Sequence, residues 1–347
     1  MKIIAMPAFE NRDKNPYNWL LYTSMKDLGV KVDEFSSLSL LRNRYTIWHL
    51  HWPDVPLNHQ NPLKAFLKIQ ALLLQIDWAR AHGAKIVWTV HNLSSHEKRY
   101  PELEVWFWRV FTQRLDGYIS LSQMGIKAAQ ERFPKLSHLP GFVIPHSHYR
   151  GEYPDYVSSQ EARASLGIPP EAKMLLFFGR IRPYKNAPAL IRAFREFPQQ
   201  DVILYIAGRP EPSTLQQELE EEAASDSRIK MHLEFIPDNK AQLYFRAADL
   251  VILPYREILN SGSALLALSF DCPVLVPLRG ALSELQNQVG EQWIKTYEGE
   301  ITSTQIEAAL KWVLNTPRPK QPPLETLDWK ELAQRTIDAY KAIAANR

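Results

Sequence analysis

Short apolar runs alternate with longer amphipathic stretches along the chain, and the whole alternation occurs twice. In the first half MKIIAM, VKVDEF, YTIWHLHW, KIVWTV, GYISLS and FVIPH read as strands, each too short for a helix. Between them PYNWLLYTSMKDLG predicts a helix closed by Gly29, and the stretch from Pro62 to His82 predicts another, stopped by Gly83. The second half restarts with helical EARASLGI. It continues through MLLFFG, the helix APALIRAFREF, DVILYIAG, a polar helix around Leu215–Ala224, and RIKMHLEFI. AQLYFRAA, DLVILPY, a helix from about Ser263 and PVLVP follow. Strands alternating with helices imply parallel sheets with right-handed crossovers, hence an α/β protein of two Rossmann-like domains. The polar stretch RGEYPDYVSS (150–159) predicts the join, giving domains 1–152 and 153–325. After the proline-rich NTPRPKQPP, residues 326–347 hold a last helix, expected to pack back on the first domain.

A length of 347 residues suits two domains, because single cores rarely grow past about 250–300 residues. No apolar run reaches the roughly 18 residues of a spanning helix, and MKIIAMPAFENRD lacks a secretory apolar stretch, so a cytoplasmic protein is expected. The single cysteine, Cys272, excludes an internal disulfide and a multi-cysteine zinc site. Residues 1–150 carry 19 Lys and Arg against 12 Asp and Glu, whereas the remainder is net acidic. The first half is therefore expected to meet an anionic partner.

Open parallel sheets bind ligands beyond the carboxyl ends of their strands, so chemistry is sought just after each apolar run. After MLLFFG come Arg180 and Lys185, two cations five residues apart, and then a helix start. A guanidinium fork, a point charge and free helix N–H groups together suit a diphosphate. Asn260, Ser261, Gly262 and Ser263 open another helix with small polar groups, suited to phosphate contact or to capping. KIVWTV runs into His91, followed by His96 and Glu97 at a helix start. His49 and His51 alternate on a strand and so share a face, without a third metal ligand at strong spacing. His146, His148 and Arg150 lie at the domain join, where they could reach donor phosphate or acceptor. Trp106, Phe107, Trp108 and Phe111 make LEVWFWRVF apolar nearly all round. Such a helix is usually buried, the alternative being a helix that rests on a membrane bearing a lipid-linked acceptor.

The ordered blocks GRIRPYKN, IAG, FIPDNKAQLYFRAADLVILPYRE, SGSALLALSFDCPVLVP and RGALSE resemble the retaining GT-B glycosyltransferases, the family of sucrose and trehalose synthases and bacterial mannosyltransferases. The resemblance implies a GT-B fold, two Rossmann-like domains facing each other across a cleft. It also implies a glycosyltransferase acting on a nucleotide diphosphate sugar (UDP- or GDP-linked) and a saccharide or lipid-linked saccharide. In that family the Gly-Arg…Lys loop grips the donor diphosphate, which here implies Arg180 and Lys185, with Ser261, Gly262 and Ser263 beside them. A histidine after the fourth strand touches the reacting centre, which implies His91, and a glutamate after the strand DLVILPY lies by the sugar, which implies Glu257. The family's second glutamate, eight residues on, is replaced by Leu265. Glu284 occupies the family's Gly-Gly-x-x-Glu turn. The first loop lacks the family's glycines, so Asn15, Tyr17 and Asn18 become the candidate side-chain contacts. No Asp-x-Asp occurs, so no metal or other cofactor is expected, nor is a nucleic-acid partner. The alternatives are a non-catalytic nucleotide-sugar-binding protein or another GT-B enzyme such as an epimerase.

Overall fold

The computed structural model describes residues 1–13, 15–95 and 99–345, and the chain divides into two compact units. The first comprises Met1–Ser147 together with the segment from Thr326 onward; the second is His148–Glu325. In the first unit β1 (Lys2–Met6), β2 (Lys31–Glu34), β3 (Ile47–Leu50), β4 (Lys85–Val90), β5 (Gly117–Ser120) and β6 (Gly141–Val143) form one parallel sheet, ordered β2-β1-β3-β4-β5-β6. These are the six runs read from the first half. Their register places Ala5 beside His49 and His49 beside Val87.

The second unit carries β7 (Lys173–Phe178), β8 (Val202–Ala207), β9 (Ile229–His232), β10 (Leu250–Ile252), β11 (Val274–Pro277) and β12 (Ile294–Tyr297) in the order β12-β11-β10-β7-β8-β9. All pairings are parallel. The edge strand β12 is a strand the sequence pattern did not predict. Its segment IKTY sets two polar residues between two apolar ones, which neither alternates nor makes a recognisable apolar run. Buried Leu175, Phe177, Leu190, Phe194, Leu204 and Ile252 fill the space between this sheet and its helices.

The division between the units falls after Ser147, five residues before the boundary expected at 152. Tyr149 N–H donates to Ser269 Oγ at 2.8 Å, and Arg150 pairs with Asp271 at 2.8 Å, which ties both residues to the second unit. The chain re-enters the first unit where Ser147 Oγ donates to the Leu327 carbonyl. The last helix, Trp329–Ala345, packs against the helix Tyr17–Asp27. In the helix Pro101–Thr112, Phe107, Trp108 and Phe111 are buried, and Trp108 lies 5.0 Å from Trp88. The aromatic character read from this helix therefore serves the core, each such side chain contributing roughly 1.5–3 kcal/mol.

Candidate functional site

In each sheet the strand order reverses at one point, and there the loops on either side part to leave room for a ligand. In the second unit the reversal lies between β7 and β10. The β7 loop is shaped first by a backbone approach: a Cβ on Gly208 would sit 2.0 Å from the Gly179 carbonyl oxygen, and Gly208 has φ +141°. Only glycine permits that fit. Within the loop Lys185 is buried, and its Nζ lies 3.6 Å from where a Cβ on Gly179 would be; Ser263 Oγ lies 3.7 Å from the same point. The ammonium also sits 5.7 Å from the centre of the Tyr255 ring. Burial pushes the Lys185 ammonium below its ordinary range; Tyr184 counters this, while Arg182 and Arg180 add repulsion. No carboxylate among the described residues pairs with it.

Its cationic neighbours differ in how far they are committed. Arg182 and Arg209 both bind Glu211, at 2.8 and 2.9 Å. Burial would raise the Glu211 carboxyl, but Arg209, Arg180 and Arg182 hold it below the usual range. Arg180 is exposed and makes no ion pair among the described residues. From β10 comes the other wall. Ser261 Oγ accepts the Ala264 N–H at 3.1 Å, so Ser261 acts as the N-cap of the helix Gly262–Ser269. Burial raises the Tyr255 phenol, and the nearby Ser263 and Ser261 hydroxyls counter this. Both amide atoms of Asn260 are buried without a partner. The structure thus brings Lys185 and Ser263 together at Gly179, with Ser261 and Gly262 next to Ser263 in the chain at the helix start.

Glu257 lies exposed on the β10 loop and makes no side-chain hydrogen bond among the described residues. The loop itself is well held. Arg256 N–H donates to Tyr184 O at 2.8 Å, and a Cβ on Gly280 would sit 2.4 Å from Ile258 O. Gly280 of RGALSE thereby serves the packing of the β10 loop, and Glu284 lies in the first turn of the helix Ala281–Val289.

In the first unit the reversal lies between β1 and β3. His49 and His51, in and just after β3, join Tyr22 and Tyr340 in one buried cluster, with the partly exposed His91, just after β4, at its edge. His91 Nε2 is 2.9 Å from His51 Nδ1, and His51 Nε2 is 2.6 Å from the Tyr22 hydroxyl. His49 Nδ1 faces the hydroxyls of Tyr22 at 2.7 Å and Tyr340 at 2.5 Å, and its Nε2 meets Thr89 Oγ1 at 2.7 Å. The His49–His51 pair is accordingly a hydrogen-bonded core pair. His91 stacks on Trp52 at 4.5 Å. The buried Tyr17 ring packs against His91, His146 and Trp329 at 5.3, 4.7 and 5.4 Å. Burial lowers all four imidazoles: His49 to about 3, His146 to about 4, and His51 and His91 well below the ordinary value.

Other candidates are placed differently from expectation. Asn15 Oδ1 accepts the Tyr17 N–H at 3.1 Å, and Asn18 Nδ2 donates to Pro7 O at 2.7 Å, so both shape the loop. His148 Nδ1 accepts the Arg150 N–H at 3.2 Å, and the Arg150 guanidinium is taken by Asp271 rather than free for a phosphate. His96 and Glu97 lie outside the described residues. Three residues escaped sequence reasoning altogether. Glu34 accepts the N–H groups of Ala8, Phe9 and Glu10 at 3.0, 2.5 and 3.0 Å. The β1 loop needs no glycine because its amides already hold a carboxylate. Asp54, buried beyond β3, has its carboxyl pushed up to about 6 by burial, against its own backbone N–H and with help from the Glu104 charge. Tyr340 reaches the cluster from the far end of the chain, with no local signal. Among the described residues no three His, Cys, Asp or Glu side chains are grouped to hold a metal ion.

Two parallel six-stranded units with a cation-lined loop at the sheet reversal define the architecture of GT-B glycosyltransferases. Sucrose-phosphate synthase of Thermosynechococcus elongatus superposes with TM-score 0.68 at 16% identity, over 99% of this chain and 96% of that one. Anabaena HepE in complex with UDP-glucose superposes with TM-score 0.65, again at 16% identity, over 99% and 98% of the two chains. Residues 158–321 match the family described as glycosyl transferases group 1. A GDP-mannose:glycolipid 4-beta-D-mannosyltransferase of Xanthomonas campestris pv. campestris is 31% identical over 330 residues, covering 95% of this chain and 89% of the relative. The chain belongs to the glycosyl transferases group 1 family and is a glycosyltransferase.

Proposed function

We propose that this glycosyltransferase moves mannose from GDP-mannose to a hydroxyl of a lipid-linked saccharide, without a metal. The observation that carries the reading is the buried Lys185 ammonium, without a carboxylate partner among the described residues, beside Gly179 and the helix start at Ser261–Ser263. A buried cation without a carboxylate is costly, and a diphosphate supplies the missing charge. Lys185, Arg180 and the helix N–H groups would steady the leaving diphosphate, the work that a carboxylate-held cation does elsewhere. His91 is assigned a hydrogen bond to a substrate oxygen, and Glu257 the sugar hydroxyls. The donor and acceptor classes follow the 31%-identical relative, whose name specifies GDP-mannose and a glycolipid.

A thermal-shift and transfer screen of GDP-mannose, UDP-glucose and ADP-glucose tests this. GDP-mannose is expected to raise the melting temperature most and to label a glycolipid acceptor, with activity retained in EDTA. A preference for another nucleotide overturns the donor assignment. A tenfold or greater loss in chelator, restored by magnesium or manganese, overturns metal independence.

The acceptor's lipid anchor fits a surface of the first unit. On the first turns of the helix Pro62–Ala81, Leu63 and Leu67 are more than half exposed and Phe66 is 40% exposed; Val105, on the helix Pro101–Thr112, is also exposed. Exposed Lys64, Lys68 and Arg109 lie on the same two helices. Apolar side chains flanked by cations suit an anionic bilayer, to which each cation contributes about 1 kcal/mol. Sedimentation with anionic vesicles at low salt is expected to carry the protein down, and the Leu63→Glu/Phe66→Glu variant is expected to stay in solution. Equal sedimentation of both proteins, or none of either, removes this surface from the proposal.

A further inference from the structure

The β10 loop carries one polar side chain that is unsatisfied at both ends. Nδ2 and Oδ1 of Asn260 are buried without a hydrogen-bond partner among the described residues, although the residue as a whole is partly exposed. The amide therefore lies just beneath the surface of the loop. Native proteins leave few buried polar atoms unpaired, and here a donor group and an acceptor group are orphaned together. Helix capping does not account for Asn260, because the adjoining Ser261 is the N-cap and accepts the Ala264 N–H. The backbone around the amide is pinned from both sides. Arg256 N–H donates to Tyr184 O at 2.8 Å, Ala281 N–H donates to Leu259 O at 3.2 Å, and the Arg279 guanidinium donates to Arg256 O. Gly280, where a Cβ would meet Ile258 O at 2.4 Å, closes the same stretch. A side chain on so firm a support is positioned before any ligand arrives.

Whatever satisfies the amide must offer a donor and an acceptor side by side. Phosphate oxygens only accept, so a diphosphate can pair with Nδ2 but leaves Oδ1 without a proton. Two hydroxyls on neighbouring carbons supply both: one O–H donates to Oδ1, and the oxygen of the other accepts from Nδ2. With the diphosphate at Lys185 and Ser261–Ser263, the two rings attached to it are the hexose on one side and the ribose on the other, and each carries such a pair. We infer that the Asn260 amide binds a vicinal pair of hydroxyls of the nucleotide sugar, an assignment that rests on the diphosphate lying at Lys185. A group that must both give and take a hydrogen bond also discriminates, since a donor lacking either hydroxyl leaves the amide half unpaired.

Calorimetry on the full-length protein reads this through two variants. Asn260→Ala removes the amide, and Asn260→Leu removes it while keeping the volume. The ligand is the nucleotide sugar that the wild type binds best in the screen above, expected to be GDP-mannose. Both variants are expected to bind it about 10- to 100-fold more weakly, to bind inorganic pyrophosphate within twofold of wild type, and to melt no lower. The nucleoside diphosphate separates the two rings. An equal loss for GDP places the hydroxyl pair on the ribose, and a GDP affinity within twofold of wild type places it on the hexose. Removing either hydroxyl of that pair from the ligand is expected to weaken wild-type binding at least tenfold and binding to the variants less than twofold. Wild-type affinity in Asn260→Leu, or unchanged affinity in both variants, overturns the inference and leaves an amide that holds water only. A pyrophosphate affinity that falls in step with that of the nucleotide sugar overturns it in favour of a phosphate contact. Failure of the diphosphate placement shows separately, as a GDP affinity that survives Lys185→Met, and takes the inference with it.

Discussion

In Lys185→Met, affinity for GDP is expected to fall 10- to 100-fold and kcat/KM for transfer by 10²- to 10³-fold, while the protein melts at the same temperature or higher. The split in sign follows from the site. Each charge-assisted contact to a phosphate is worth roughly 1.5–3 kcal/mol, and donors aimed at charge that develops as the bond breaks are worth about 3–4 kcal/mol in turnover. In the free protein the same ammonium is buried, repelled by Arg182 and Arg180, and matched by no carboxylate among the described residues. Removing it relieves that cost, and methionine keeps most of the volume. Arg180→Ala is expected to have the smaller effect, because an exposed guanidinium is screened by solvent. Arg182 and Arg209 are already shared with Glu211, which leaves Lys185 as the main charge for a new anion. Isothermal calorimetry with GDP, alongside a thermal melt, checks both halves. Unchanged GDP affinity in a folded variant removes Lys185 from the phosphate site.

The second large effect is acid lability of the first unit. His49 and His51 are buried and His91 and His146 partly so, and burial holds the pKa values of all four below the ordinary 6.5. The unfolded chain therefore binds protons that the folded one refuses. Stability present above pH 6.5 is lost as pH falls toward 4, at about 1.4 kcal/mol per pH unit for each histidine. Asp54 acts in the opposite direction. Its carboxyl is raised to about 6, so between roughly pH 4 and 6 the folded state holds a proton that the unfolded one releases. Three net protons remain near pH 5.5. Allowing for the partial exposure of His91 and His146, the expected slope is about 3–4 kcal/mol per pH unit, against a typical domain stability of about 5–15 kcal/mol. Urea unfolding followed by tryptophan fluorescence at pH 7.5, 6.5 and 5.5 reads this well, since seven of the ten tryptophans lie in residues 1–150. A midpoint that moves with fewer than one proton between pH 6.5 and 5.5 contradicts the buried neutral cluster. In Asp54→Asn the slope is expected to steepen.

What the sequence determined by itself was what is local along the chain. Eleven strands were legible because each is a compact apolar run closed by turn residues, and alternation with helices left only parallel sheets. The phosphate loop was legible for the same reason: Gly179, Arg180 and Lys185 lie within seven residues, and Ser261–Ser263 adjoin one another. The strand Ile294–Tyr297 was not, because half of its side chains are polar at the sheet edge and the run never forms. The tertiary structure alone decided which chemistry is free and which is spent. Arg150 reads as a cation for a ligand until Asp271, 121 positions on, is seen to hold it. The β1 loop reads as lacking its glycines until Glu34 is found on its amides. Tyr22, His49, His51, His91 and Tyr340 span almost the whole chain, and nothing near any one of them announces the others. Hydrogen bonds between side chains depend on distances of a few tenths of an ångström, and those are set by the packing of helices on sheets, which no local pattern encodes.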